Sequence, residues 1–185
     1  MAADTLKAVA ISNLDASPAV ANNTGVGAEG YLKSISDYVT VTTGGLASTS
    51  STYKMVRLPS NAKVKRVELS FDTAADSNAS PTLAWDVGAY YSDSTVDGTN
   101  SANQGASISV NAFLANVKIP AATGGNVDHV NADSAFAALS KQQPLWQALA
   151  LAADPGGFID IVVAVHATAA TAVSTNMYLE VQFVM

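Results

Sequence analysis

Leu83-Ala84-Trp85-Asp86-Val87-Gly88-Ala89-Tyr90-Tyr91 is the stretch that decides the fold class. Leu83, Trp85, Val87, Ala89 and Tyr91 fall on one side of an extended chain, and Ala84, Asp86, Gly88 and Tyr90 on the other. A period of two is that of a β-strand with one face in a core. Upstream the same pattern continues with one interruption. Ala62 and Val64 hold one phase, Val67, Leu69 and Phe71 the opposite one, and a single extra residue at Lys65-Arg66 resets the register as a β-bulge does. Pro59-Ser60-Asn61 reads as a turn, which makes residues 53–58 the preceding strand and 38–43 an earlier one. Downstream, strands are expected over residues 107–119, 158–167 and 177–185, the last two pairing across the small-residue connection 168–176.

Two short helices interrupt this pattern. Asp133-Ser134 is placed to cap one that carries Phe136 and Leu139. Pro144 suits the first turn of another, with Trp146, Leu149 and Ala150 facing inward, ended by Asp154-Pro155-Gly156-Gly157. Residues 1–30 hold Pro18 and three glycines with little periodicity and read as an extended N-terminal arm. The expected fold is therefore all-β: an antiparallel, jelly-roll-like β-sandwich over residues 31–185, with one or two short inserted helices and an arm before it.

Composition bounds the function. The 185 residues suffice for one domain with a core, and 49% of them are hydrophobic. Charged residues are 13%, about half the share usual for a soluble domain. Such sparse charge suits a molecule packed against neighbours. Nine basic against 15 acidic residues argue against a protein that coats DNA, so no direct nucleic-acid contact is expected. The absence of cysteine excludes disulfides, thiol chemistry and cysteine-ligated zinc. The longest apolar run, residues 161–173, is broken by His166, Thr168 and Thr171, so no membrane span is expected. The first residues lack the basic region of a signal peptide, which points to synthesis in a cytoplasm.

Material for catalysis is thin. His129 follows Asp128 in a loop and His166 sits in a predicted strand, with no Gly-x-Ser-x-Gly elbow. Residues 25–30 match the dinucleotide fingerprint G-x-G-x-x-G, yet a loop-like segment precedes them where the mechanism requires a buried strand. Residues 93–98, with Gln104 at the twelfth position, resemble a calcium loop but put Thr95 and a neutral amide at ligand positions. Asp72, Asp76 and Asp86 offer carboxylates whose spacing in sequence says nothing of their separation in space. No catalytic residue, metal site or cofactor is expected. Charge distribution is more telling. Lys54, Arg57, Lys63, Lys65 and Arg66 cluster in one short segment, and five acids follow between Asp72 and Asp97. The cluster reads as a basic strip on one sheet, suited either to protecting an edge or to meeting an acidic neighbour.

The segment Val56-Arg57-Leu58-Pro59-Ser60-Asn61-Ala62-Lys63-Val64-Lys65-Arg66-Val67 resembles one recurring in small structural proteins encoded near the head genes of tailed bacteriophages. The resemblance extends to Trp85-Asp86-Val87-Gly88-Ala89-Tyr90-Tyr91, to Gln143-Pro144-Leu145-Trp146-Gln147-Ala148-Leu149 and to the stretch from Asp154 to Ile161, within a span of roughly residues 38–185. It implies a β-rich virion component present in many copies, without catalytic residues to carry over. With the composition, it leads to the expectation of a capsid decoration (cement) protein on the capsid surface. Its partners would be the major capsid protein and itself, as a homotrimer. The expected capsid or subunit contacts are Leu6, Val9, Ile11 and Leu14 of the arm, and Arg57, Lys63, Lys65 and Arg66 of the strip. The alternatives are a head-fibre, neck or tail accessory protein holding a receptor or glycan through Trp85, Tyr90 and Tyr91, and a small hydrolase using His129 or His166.

Overall fold

The computed structural model describes residues 5–7, 9–16, 32–92, 103–118, 129–131 and 134–185. Nine strands form two sheets. Sheet A has the order β1 (Thr5–Lys7), β3 (Thr52–Pro59), β8 (Phe158–Ala167), β5 (Ala84–Tyr91), β6 (Ser107–Val117). Sheet B has the order β2 (Lys33–Val41), β9 (Thr175–Val184), β4 (Lys63–Phe71), β7 (His129–Asn131). All pairs are antiparallel except β1 with β3. The all-β sandwich read from alternation is the observed fold.

Alternating residues of both sheets meet in one core. Trp85 is its largest fully buried side chain, stacked between Phe71 at 5.2 Å and Tyr53 at 6.3 Å. Strand β9 alternates strictly, with Met177, Leu179, Val181 and Phe183 inward. The bulge expected at Lys65 is present: Val64 pairs with Phe183 and Arg66 with Gln182, which leaves Lys65 as the extra residue. Ala62, Val64, Val67, Leu69 and Phe71 thereby all reach the core despite their change of phase. Strand β5 departs from the one-sided expectation, because Ala84 to Ala89 are all buried. Between the pairs Val87–Leu114 and Ala89–Ser109, β6 carries three more residues than β5 does, and their backbone bends over Gly88. A Cβ at Gly88 would overlap the main chain of Ser109 and Val110, so a glycine is required there.

The expected pairing of the last two strands is corrected. β8 lies in sheet A and β9 in sheet B, so residues 168–174 form a crossover instead of a hairpin. The cause is Asp76, buried in the β4–β5 connection. Its carboxylate accepts backbone N–H groups of Asn78, Thr82 and Leu83 from its own loop and of Ala170 and Thr171 from the crossover. Main-chain bonds from Ser77 to Thr171 and from Val173 to Ala75 complete the junction. Burial raises the pKa of Asp76, but these N–H donors outweigh it and hold it down at about 2.

The helices also differ in detail. Thr42 leaves the strand to cap α2 (Thr43–Leu46), accepting from Gly45 N–H at 3.1 Å, so β2 stops at Val41, short of the expected 43. The stretch 134–139 is not an α-helix. Turns there lead into a 3-10 turn at Ser140–Gln142, with Phe136 buried on Phe113 and Leu139 exposed. Helix α3 (Leu145–Ala148) follows Pro144 as expected, but its buried residue is Leu145, while Ala150 is exposed. The N–H groups of Leu145 and Trp146 bond the carbonyls of Ala62 and Ser60, which draws the inward face one residue earlier. Within the expected arm, residues 5–7 form β1 beside β3, and α1 (Val9–Asp15) packs on β3 and β2. These residues are folded onto the domain, not extended away from it.

Gly88→Ala is expected to destabilise the domain by about 3 kcal/mol or more, because the clash is with backbone instead of a side chain that can turn away. Urea denaturation measures it. The depressed pKa of Asp76 stabilises the fold above its ordinary value of 3.8, and that stabilisation is lost as pH falls through about 2. The stability gap between the wild type and Asp76→Asn should therefore be constant near neutrality and shrink between pH 4 and pH 2, a dependence that thermal melts at stepped pH resolve.

Candidate functional site

Arg57 lies on the outer face of sheet A, yet its side chain is only 2% exposed. Its Nε donates to Asp160 Oδ1 at 2.6 Å and one terminal nitrogen to Asp160 Oδ2 at 3.0 Å, a two-pronged pair across β3 and β8. The other terminal nitrogen donates to Asp15 Oδ1 at 2.7 Å, and Asp15 Oδ2 takes Lys7 Nζ at 2.7 Å. Burial alone would lower the Arg57 pKa, but the hydrogen bonds and charges of Asp160 and Asp15 outweigh it and hold it above its ordinary value. The charge expected to meet a neighbour is thus spent within the chain, where it fastens α1 to sheet A. Of the arm residues, Leu6 is part-buried against the core and Ile11 fully buried. The side chains of Val9 and Leu14 lie outside the described residues.

Three residues of the basic strip, Lys63, Lys65 and Arg66, are on sheet B. Arg66 is half exposed and pairs with Glu68 at 3.1 Å. Lys63 and Lys65 are part-exposed at the start of β4, and Lys65 Nζ bonds the carbonyl of Lys141 and the side-chain oxygen of Gln142. Lys54 is buried on β3. The sequence cluster therefore divides between two sheets.

His166 is the extra residue of a bulge in β8, where Ala84 pairs with Ala167 and Trp85 with Val165. Its Nδ1 lies 2.8 Å from Asp86 Oδ2, while Asp86 Oδ1 accepts the N–H of Asn116 at 2.7 Å. Asn116 has a positive φ of 50°, so Asp86 holds the far end of the irregular β6 against β5 and His166 steadies Asp86. Among the described residues no hydroxyl bonds His166. The side chain of His129, residues 25–30 and residues 93–98 lie outside the described residues. Asp72, Asp76 and Asp86 each bind donors of the chain itself: Asp72 takes Asn176 Nδ2 at 2.8 Å and the Tyr178 hydroxyl at 3.0 Å. Among the described residues no group of three His, Asp or Glu is arranged to hold a metal.

Trp85 is a core residue, and Tyr90 and Tyr91 are half-buried. A different aromatic pair faces outward: Tyr38 and Tyr178, on neighbouring strands of sheet B with ring centres 5.6 Å apart. Hydrogen bonding to Asp72 raises the pKa of Tyr178. The pair was legible in principle, because Tyr38 and Tyr178 both occupy outward positions of alternating strands.

Comparison with known proteins adds the wider context. No family model matches the chain, and no curated protein matches it. Among solved structures it is similar to a chain of the capsid of Ralstonia phage GP4, with a TM-score of 0.64 and 19% identity over 98% of both chains. It is also similar to a chain of the cyanophage Pam1 capsid asymmetric unit, with a TM-score of 0.53 and 19% identity over 92% of this chain and 96% of that one. At these identities the likeness is one of fold, and the fold is that of chains found in phage capsids. The β-rich fold that the resemblance implied and the fold of these chains thus agree.

Truncating one partner of the internal ion pair tests its role. Arg57→Leu leaves Asp160 buried without its countercharge and is expected to cost about 3–5 kcal/mol, whereas Arg57→Leu with Asp160→Leu recovers most of the loss. Denaturation midpoints of the three proteins, compared at one pH, decide it.

Proposed function

We propose that the chain is a structural protein of a phage virion, and within it a decoration protein that adds to the outer capsid shell and stabilises it. The observation that carries this reading is the correspondence along 98% of both chains with a chain of a phage capsid. The internal organisation supports the finer part. The described N-terminal residues are paired and ion-bonded to the chain's own sheet, and the core closes within one chain. Such a molecule folds by itself and binds a shell that already exists. Binding to the assembled shell alone then favours assembly over dissociation by mass action. A structural rather than catalytic role, the major capsid protein as partner and a homotrimer matched to three-fold positions belong to the same reading.

A second reading rests on the outward-facing pair of exposed Tyr38 and part-buried Tyr178. Beside the polar side chains of Thr40, Asn176 and Asp72 they offer a platform for a sugar, as in an accessory protein of head, neck or tail that holds a receptor. Copy number separates the two. Quantitative mass spectrometry of purified particles is expected to find on the order of hundreds of copies, as a repeated lattice position demands, whereas about a dozen would favour the accessory role. In the decoration reading, adding the protein to shells that lack it also raises their thermal transition, and Tyr38→Ala leaves that shift unchanged.

A further inference from the structure

One end of sheet B gathers positive charge that the sequence scatters. In register, Lys33 of β2 stands against Phe183 and Lys63 of β4 against Val184, so β9 ends between two lysines. Lys65 holds the turn that contains Lys141 at the same end. Four of the nine basic residues of an acidic chain thus lie at this end, from β2, β4 and the 3-10 turn, with Lys33 on the side of inward Phe183 and Lys63 on the side of outward Val184. No described carboxylate pairs with Lys33, Lys63 or Lys65, in contrast to Lys7, Arg57 and Arg66, which are all matched within the chain. Asp154, an acid of the same end, is turned to the Ser60 hydroxyl and Gly156 N–H on the side of the β3–β4 turn.

Large apolar side chains stand among these lysines. Leu139 is 71% exposed, Leu32 60% and Met185 47%, and Lys33 Nζ lies 3.6 Å from the Met185 sulfur. They make up three of the five exposed large hydrophobic residues of the described chain. Leucines held in water at an end rich in lysine have the composition of an interface rim and its anchors. Resting on the decoration reading, we infer that this end is the surface that meets the shell, and that the shell presents an acidic protein patch with apolar sockets for Leu32, Leu139 and Met185. The carboxylates steer the approach and the apolar contacts hold the complex.

The test uses shells assembled without the protein and the full chain as Lys33→Glu with Lys63→Glu. A second variant carries Leu32→Ser with Leu139→Ser. The leucines are exposed, the lysines are part-exposed and none of the four belongs to the core, and melting checks that each variant is folded. Binding measured by co-sedimentation is expected to weaken at least about tenfold in the charge variant and to lose its salt sensitivity, and the leucine variant is expected to detach faster. Wild-type protein that binds while both variants bind equally well overturns the assignment of this surface and leaves the decoration reading standing. Variants that lose self-association while still binding the shell also overturn it, because the surface then joins copies of the chain. Wild-type protein that fails to bind shells at all removes the decoration reading and this inference with it.

Discussion

The carboxylate of Asp76 accepts five backbone N–H groups from two connections that are far apart in sequence. The sandwich depends on it because its strands alternate between sheets. Passing from β1 to β9, the chain changes sheet at every connection except that between β5 and β6. Each change leaves an end of the sandwich to be closed by irregular backbone, whose N–H and C=O groups need partners when buried. One buried anion serves two such crossings at once, since an ionised carboxylate has lone pairs for several donors. It does so without a positive residue, which explains how this end stays ordered in a chain so poor in lysine and arginine.

A second ion site works in the opposite way. Arg57 and Asp160 are matched inside sheet A, with Asp15 recruiting the N-terminal helix to the same guanidinium. Attraction between fully formed charges in a dry setting is strong, and so is the penalty for removing either partner. The consequence for function is a division of labour among basic residues. Those on sheet A fasten the chain to itself, whereas Lys33, Lys63 and Lys65 at one end of sheet B pair with no carboxylate among the described residues. Low overall charge therefore does not mean an even surface.

Much of the fold was legible in sequence because alternation reports directly on which side chains enter the core. It revealed β3, β5, β6 and β8 closely, and even the bulge at Lys65, since a bulge leaves a one-residue change of phase. Partnership between strands left no such mark. A short small-residue connection after β8 reads as a hairpin, whereas Asp76 and its neighbours, some ninety residues earlier, hold it as a crossover. The basic strip was half legible for the same reason. Lys63 and Lys65 are neighbours in sequence, but Lys33 and Lys141 join them only through strand register and a turn. Arg57 had a readable signal: Asp160 is the lone charge in the apolar run from Phe158 to Val165, and a charge so placed requires a buried counterpart. Tyr38 and Tyr178 each stand at an outward position of an alternating strand, but only the pairing of β2 with β9 brings them together.

The alternation of strands between sheets bears on how the molecule forms and how long it lasts. With one exception, no strand can pair with its sequence neighbour, so little native pairing is available until distant segments meet, and folding is slow for the chain length. Opening is hindered by the same wiring, because β5 and β6 alone form an outer hairpin and every other strand is held by partners distant in sequence. In the proposed role the molecule is made once, carried on a particle outside any cell and never replaced. For such a molecule a high barrier to unfolding matters more than speed of folding, since its useful lifetime is set by the rate at which it first opens.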